Sequence, residues 1–326
     1  MKRTKAQARR HPVVPAPETG KIVLIANPTA KSGRGAAAAD EAARLLWSKV
    51  GEERVEVLYT ARARHATELA REVGPEVGCV IALGGDGLVN EVANGLMERA
   101  ADDRPALAVI PVGSGNDYAA TLGMAYQVPA AVHEILRFNT ARADVGRVNG
   151  RYFVETLSFG LDAAIALGTV ELRKKSGRAG TALYLESAVD QLFHHLSTYQ
   201  FTLDILRAPE GLPPRKVTAE AYLLAAQIGP TYGGHFRITP EASIDDGLLD
   251  LCWATPKLAP LRALAILLRA RAGKHVGNDH IHFAQAARVQ IDFDREPPAQ
   301  IDGEKIEGTR FLVECIPDAL TVVLGK

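Results

Sequence analysis

The sequence predicts two domains, a Rossmann-like α/β domain with a parallel sheet and a following antiparallel β-sandwich. Three observations lead to this fold class. The chain of 326 residues is long for a single domain. Up to about residue 140, apolar segments alternate with segments of helical periodicity. Beyond that point, strand-like segments separated by turns follow one another with few helices between them.

Four apolar, partly β-branched segments of the first half are predicted as strands: KIVLIANP, RVEVLYT, CVIALGG and ALAVIPVG. The segments between them have helical spacing: GRGAAAADEAARLLWSKV, ARHATELAREV and LVNEVANGLM. Such alternation favours a parallel sheet, in which ligands bind beyond the carboxyl ends of the strands. The loops at those ends are rich in small, polar or basic residues, as a phosphate site requires: NPTAKSGRG, TARARH, GGDG and PVGSGND.

The second half contains strand-like segments such as YQFTLDIL, KVTAEAYLLAAQIG, LLDLCWA and ARVQIDFD. Two segments there are predicted as helices, GTALYLESAVDQLFHHL and APLRALAILLRARAG. We therefore divide the chain into a basic flexible arm (1–19), an α/β domain (20–140), a β-sandwich (141–308) and a C-terminal segment (309–326). Patterning leaves open whether that last segment closes the sandwich or returns to the first domain.

Composition narrows the functional classes. The formal net charge is zero, which argues against nucleic acid as a partner. Three cysteines lie far apart without a CxxC pair, so neither a zinc site nor a disulfide framework is expected. The basic N-terminus lacks the apolar stretch of a signal peptide, and no apolar run is long enough to span a membrane. These features favour a cytoplasmic protein.

The turn GGDG carries an acid where most phosphate-binding loops carry a lysine or no charge. Gly84, Gly85 and Gly87 let backbone N–H groups approach an anion, and the following helix adds its positive end. Asp86 would repel a phosphate unless a metal ion, a metal-bound water or a hydroxyl lies between them. The alternative is a plain strand-to-helix turn in which Asp86 caps the helix.

A second loop of the same kind, PVGSGND, ends the fourth strand. Two such loops in one parallel sheet are more informative than one, although Ser114 and Asn116 could simply cap the next helix. No Walker A motif and no protein-kinase motif set occurs, and GxGxxG is absent after the first strand. P-loop NTPases, protein kinases and Rossmann dehydrogenases are therefore disfavoured.

Six motifs in order resemble the diacylglycerol-kinase catalytic family, which includes bacterial lipid kinases and sphingosine and ceramide kinases. They are NPTAKSGRG, TARARHATELA, GGDGLVNEVANGL, PVGSGNDYAATLG, TYGGHFRITPEASIDDGLLDL and IDGE. Leu88 stands where the family usually has threonine, Ser114 replaces another threonine, and Ala120 replaces an arginine. NAD kinases share the GGDG turn but lack the last two motifs, so they rank second.

The resemblance implies an ATP- and Mg²⁺-dependent lipid kinase of the NAD-kinase/diacylglycerol-kinase fold, with its active site in the cleft between domains. Diacylglycerol is the expected acceptor and phosphatidic acid the product, in phospholipid biosynthesis. Glu304 corresponds to the proposed general base, with Asp86 as a second catalytic carboxylate. The implied nucleotide-binding residues are Asn27, Thr60, Gly84, Gly85, Asp86, Gly87, Leu88, Val89, Asn90, Ser114 and Asp117. A structural Mg²⁺ site is implied at Ser243, Asp246 and Leu248.

Two alternatives to a lipid kinase stay open at this stage. One is an NAD-kinase-like enzyme with a soluble substrate. The other is a lipid- or nucleotide-binding regulator that has lost turnover, since Leu88 and Ala120 lie beside the expected phosphates. A lipid kinase must also reach the bilayer, transiently and at the inner face of the membrane. The basic arm and residues 257–275 are candidate contacts, and the chain could form a homodimer.

Overall fold

The computed structural model describes residues 20–176, 181–256 and 258–325, with only the backbone of residues 32, 173, 174 and 181. The basic arm therefore lies outside the described residues. The strands are β1 (Lys21–Ala26), β2 (Val55–Tyr59), β3 (Val77–Gly84), β4 (Ala106–Pro111), β5 (Thr140–Val148), β6 (Arg151–Phe153), β7 (Thr156–Gly160), β8 (Tyr199–Arg207), β9 (Arg215–Ala221), β10 (Leu223–Gln227), β11 (Leu249–Ala254), β12 (Ile281–Ala286), β13 (Arg288–Phe293), β14 (Ala299–Ile301), β15 (Glu304–Ile306) and β16 (Arg310–Val323).

The helices are α1 (Ala30–Val50), α2 (His65–Glu72), α3 (Asp86–Met97), α4 (Asp117–Thr121), α5 (Val128–Arg137), α6 (Leu161–Ser176), α7 (Thr181–His194) and α8 (Pro260–Ala270). Both helices predicted in the second half are present. Helix α6 was not expected, because its apolar run directly follows the buried strand β7 and gives little polar alternation. That prediction of few helices was wrong at this point.

The first half has the predicted α/β architecture. Strands β2, β1, β3 and β4 lie side by side and are parallel. Buried aliphatic side chains of β1, β3 and β4 form one core with α1, α3 and α5. Burial on both faces explains why these strands are almost continuously apolar in the sequence. Their carboxyl ends carry the loops in which the predicted phosphate-binding residues lie.

The second half has the predicted antiparallel sandwich. One of its sheets has the order β12-β11-β10-β7-β14-β15. The facing strands, β5, β6, β8, β9, β13 and β16, continue the sheet of the first half. A second core lies between the two sheets, with Phe159, Phe293 and Phe311 in mutual contact at its centre. The sandwich therefore shares a sheet with the α/β domain.

Strand β16 makes this shared sheet. Its first part pairs with β13 from Arg310 to Glu314, and its end pairs in parallel with β4 at Val322. Along most of its length it also pairs with β5, with an irregularity between Ile316 and Leu320. The C-terminal segment thus contacts strands of both halves.

Candidate active site

A large cavity lies at the carboxyl ends of β1, β3 and β4, where the two halves face each other. Its volume is about 520 Å³. Residues from both halves line it, so it is an interdomain cleft. Of the predicted site residues, those lining the cavity are Asn27, Gly85, Asp86, Gly87, Leu88, Ser114, Asp117 and Glu304.

The two predicted phosphate turns touch each other at this edge. A side chain on Gly113 would overlap the Cα atom of Gly85, and one on Gly85 would meet Gly113. Glycine is therefore required at both positions by close backbone approach. Helix α3 begins directly after Gly85, so its free N–H groups and positive helix end face the cavity.

Asp86 is held by the neighbouring turn. Its carboxylate accepts hydrogen bonds from the backbone N–H groups of Asn116 (2.7 Å) and Tyr118 (3.3 Å), at the start of α4. Asp86 thus caps α4 and not its own helix. Burial, together with the nearby charge of Asp117, raises the pKa of Asp86 to about 6. A cation beside it would relieve that cost.

Asp117 ties the first half to a loop of the second. Its carboxylate accepts the backbone N–H groups of Gly234 (3.0 Å) and His235 (2.7 Å). Burial raises the pKa of Asp117 as well. Two carboxylates that destabilise each other's charge therefore lie together at the cavity wall, each fixed by backbone donors.

Asp302, from the second half, has a buried carboxylate in the cavity wall, and we call its set of hydrogen bonds the Asp302 clamp. Its carboxylate accepts four hydrogen bonds: from Asn90 Nδ2 (2.8 Å) and from the backbone N–H groups of Val154 (2.8 Å), Glu155 (3.2 Å) and Thr156 (2.8 Å). Burial still raises the pKa of Asp302 to about 6. The clamp fixes the turn Asp302-Gly303 against α3 and the β6–β7 loop, and so it sets the position of Glu304.

Glu304 begins β15 at the rim of the cavity, where its side chain is about one-third exposed. Its Oε2 atom pairs with the guanidinium of Arg151 and lies 3.9 Å from Arg64 Nη2. Arg64 comes from the first half, and Lys31 also lines the cavity. Three cations thus surround the rim of a cavity whose interior is acidic.

Four predicted nucleotide-binding residues lie outside the cavity lining: Thr60, Gly84, Val89 and Asn90. Thr60 donates its N–H to Ala26 O (2.9 Å), and Val89 is buried in the first core. Leu88 turns its side chain against Gly84 and joins that core. Its substitution for threonine therefore replaces a hydroxyl by apolar packing. Ala120 is half-buried and does not line the cavity.

The residues of the implied structural metal site lie in the β10–β11 loop, away from the cavity lining. Ser243 Oγ bonds to Asp245, and Leu248 donates its N–H to Asp246 Oδ1 (3.0 Å). Burial and the charge of Asp250 raise the pKa of Asp246 to about 7. Among the described residues no group of three or more His, Cys, Asp or Glu is arranged to hold a metal ion.

Asp144 connects this loop to β16. Its Oδ2 accepts the N–H of Gly247 (2.6 Å), and its Oδ1 accepts that of Asp318 (2.9 Å) at the irregularity of β16. Burial and the charge of neighbouring carboxylates raise the pKa values of Asp144 and Asp246.

Some motif residues hold the fold, and some residues of the cleft were missed. Glu91 accepts the N–H groups of Arg64 (2.9 Å) and Ala66 (3.1 Å) at the start of α2, and His65 Nδ1 accepts that of Ala61 (3.0 Å).

Sequence reasoning overlooked three cleft residues: Arg151, Glu155 and Asp302. Only Asp302 could have been identified from the sequence, because it belongs to the IDGE motif, two residues before Glu304.

Comparisons with known proteins agree with this architecture. The model of the diacylglycerol kinase catalytic domain matches residues 21–148, and that of the YegS C-terminal NAD kinase beta sandwich-like domain matches residues 155–324. A "Probable lipid kinase YegS-like" of Chromohalobacter salexigens is 32% identical over 81% of this chain and 82% of its own. A diacylglycerol kinase of Bacillus subtilis is 30% identical over 75% of this chain and 77% of its own.

The fold is also that of a solved relative. The crystal structure of a diacylglycerol kinase from Bacillus anthracis superposes with a TM-score of 0.69 at 22% identity, covering 94% of this chain and 97% of the other. The predicted fold class is therefore confirmed. Within the described ranges, no helix has the length and apolar character needed to cross a membrane.

We expect Asp302→Asn to lower the free energy of unfolding by about 2–4 kcal/mol, because an amide NH₂ would replace one acceptor of a buried four-donor cluster. Urea unfolding measures this change. The control is Asp292→Ala, which removes a surface pair with Arg310 and should cost under about 1 kcal/mol. Equal effects of the two substitutions would contradict the assigned role of Asp302.

Proposed function

Because the chain belongs to the lipid kinase family that joins a diacylglycerol kinase catalytic domain to a YegS-type domain, we propose that it phosphorylates a lipid hydroxyl with ATP. The proposed acceptor is diacylglycerol, and the product is phosphatidic acid. One observation carries the proposal. Asp86 of the first half and Glu304 of the second line the same cavity, so nucleotide and acceptor chemistry can meet there.

ATP would lie over the loops of the first half, with its phosphates at the start of α3. The N–H groups of that helix end and the closely packed glycines suit an anion. The rim cations Lys31, Arg64 and Arg151 are available to neutralise phosphate charge. This arrangement supplies in several residues what a P-loop lysine supplies in one.

Asp86 and Asp117 suit Mg²⁺ or its bound waters. Both are oxygen donors, which Mg²⁺ prefers, and both have pKa values raised by burial and, to a smaller extent, by the charge of neighbouring carboxylates. Bound Mg²⁺ would neutralise charge on the phosphates. The backbone donors to each carboxylate keep it oriented toward the cavity before any ligand arrives.

Glu304 would act as the general base. As the hydroxyl oxygen of the lipid bonds to the γ-phosphorus, the hydroxyl proton passes to the Glu304 carboxylate. The bond between the γ-phosphorus and the bridging oxygen breaks, and the electrons of that bond leave with ADP. Arg151 pairs with Oε2 and so orients the carboxylate. The other carboxylate oxygen then remains available for the proton.

A second Mg²⁺ is proposed at Ser243, Asp246 and the carbonyl of Leu248. The raised pKa of Asp246 supports this, because Asp144, Asp245 and Asp250 add negative charge around it. Few protein ligands suffice, because Mg²⁺ usually keeps several waters. Its role would be structural, since Asp144 ties this β10–β11 loop to β16.

Helices α7 and α8 are the proposed contact with the membrane. The two helices touch each other and expose Leu185, Val189 and Phe193 on α7, and Leu261 and Leu268 on α8. Leu261 is 72% exposed, whereas Leu267 packs against a core. No acidic residue occurs from 258 to 278. Four exposed basic side chains lie in that range: Arg262, Arg269, Arg271 and Lys274. Apolar and cationic groups together suit an anionic lipid surface.

The assay offers the protein γ-labelled ATP with a panel of diacylglycerol, ceramide, sphingosine, phosphatidylglycerol and NAD. We expect the label to be transferred to diacylglycerol. Label in another lipid would change the acceptor. Label in NAD would identify an NAD-kinase-like activity. Binding of ATP without any transfer would identify a regulator.

Glu304→Gln should lower kcat by about 10²–10⁴, because the amide cannot take the proton, while ATP still binds. Turnover and nucleotide titration measure the two effects. The matched control is Glu307→Gln, which alters an exposed pair with Lys305 and should leave turnover unchanged. Near-normal activity of Glu304→Gln would remove this residue from the mechanism.

Excess Mg²⁺ should raise the melting temperature of the metal-free protein by about 5 °C at pH 7.5, because ligand binding stabilises the folded state. Asp246→Asn should lose most of that rise, and without metal it should melt no lower than the wild type. Asp279→Asn, at an exposed position, is the control. An undiminished rise in Asp246→Asn would exclude this metal site.

Replacing Leu261 and Leu268 together by serine should reduce flotation with phosphatidylglycerol vesicles at least about tenfold, because two apolar contacts are lost. The control is Leu212→Ser, which changes a leucine that is equally exposed but lies outside both helices. Unchanged flotation of the double variant would dismiss this face as the membrane contact.

A further inference from the structure

Several buried polar groups of residues in the cavity wall have no hydrogen-bond partner within the part of the chain that the structure describes. They are Tyr118 Oη, both carboxylate oxygens of Glu155, Thr156 Oγ1 and Tyr232 Oη. Burying a polar group without a partner destabilises the folded protein. Four such side chains around one cavity indicate a ligand that forms hydrogen bonds there.

Glu155 is the most costly member of this group. Its side chain lines the cavity, yet the residue is only 4% exposed. The backbone is fixed on both sides, since its N–H donates to Asp302 Oδ1 (3.2 Å) and its carbonyl accepts the N–H of Ile228 (2.9 Å). Gly229 makes room for the carboxyl group, because a Cβ atom there would overlap Oε2. The position of Glu155 is therefore built into the fold.

Among the described residues, no cation lies near Glu155 to balance its charge. Its charged neighbours are Asp86, Asp117 and Asp302, and the Thr121 hydroxyl nearby does not meet hydrogen-bond geometry. Burial, with the repulsion from these acids, raises the pKa of Glu155 well above its ordinary value. A protonated carboxyl group offers one donor and one acceptor.

Glu155 lies on the acceptor side of the cleft. It precedes β7, next to the Asp302 clamp that positions Glu304. The wall contributed by α6 and α7 contains Ala166, Val170, Tyr184 and Thr169, whose hydroxyl donates to Ile165 O (2.7 Å). The carboxyl group thus lines the same cavity as the proposed base and this largely hydrocarbon wall, which suits acyl chains. In a diacylglycerol, the ester carbonyls lie between the free hydroxyl and the chains, so they would enter this cavity with the hydroxyl.

We propose that the Glu155 side chain donates a hydrogen bond to an ester carbonyl of the acceptor lipid and so selects for glycerol esters. The inference rests on the proposed function and deepens it by assigning a residue to headgroup recognition. Glu155 would touch the substrate without taking part in proton transfer. In the free protein the Glu155 carboxyl group is buried without a partner, and the hydrogen bond to the lipid would offset the free-energy cost of that burial.

The test compares two short-chain acceptors, dioctanoylglycerol and its diether analogue, which lacks the carbonyl oxygens. The wild type should favour the ester about tenfold in kcat/KM. Glu155→Ala should lose this preference through a higher KM for the ester, with the KM for ATP unchanged. Glu155→Gln, which keeps a neutral donor and acceptor, should retain most of the preference.

Thermal melting separates this role from a structural one. Glu155→Ala removes an unpaired buried group, so it should melt no lower than the wild type without ligand, whereas loss of a structural residue would lower the melting temperature. Three outcomes would overturn the inference while leaving the kinase proposal intact. They are an unchanged ester preference in Glu155→Ala, an equal loss of that preference in Glu155→Gln, and a change in the KM for ATP alone. A wild type that phosphorylates neither acceptor would overturn both.

Discussion

The arrangement of the cleft depends on the buried carboxylate of Asp302. Its four hydrogen bonds join α3, the β6–β7 loop and the turn before Glu304. The start of α3 carries the turn proposed to bind phosphate, and the turn before Glu304 belongs to the other half. One side chain therefore joins the two regions that the proposed kinase reaction would bring together. Rigid support of this kind matters because phosphoryl transfer is governed mainly by positioning.

The cleft also has an unusual distribution of charge. The carboxylates of Asp86, Asp117 and Asp302 lie in its interior together with the carboxyl group of Glu155, and the cations lie at the rim. Phosphates would be repelled from such an interior unless a divalent cation entered with them. In the proposed kinase, the acidic interior would make metal and nucleotide binding interdependent, in contrast to loops that carry their own lysine. It also keeps the empty cleft in a costly state that ligands can relieve.

The sequence predicted what depends on periodicity and on short motifs. Strand–helix alternation gave the α/β half, and the glycine-rich turns located the edge at which Asp86, Ser114 and Asp117 meet. Contacts between distant segments could not be predicted. Asp86 caps a helix 30 residues away, and Asp302 binds donors some 150 residues earlier. Glu155 resembles any polar residue beside a strand, because only the folded chain reveals that its carboxyl group has no partner. Helix α6 was missed for the related reason that its apolar run gives no clear period.

The course of β16 bears on how the chain folds during synthesis. This strand is translated after every other strand of its sheet, yet it lies between β4 and β13 and joins the two halves. The α/β half emerges from the ribosome long before its sheet can be completed, so its edge at β4 stays unpaired for most of translation. Sheets that wait for distant partners fold slowly and expose edges prone to aggregation. The buried aliphatic strands of that half are thus the segments that a chaperone would have most reason to shield.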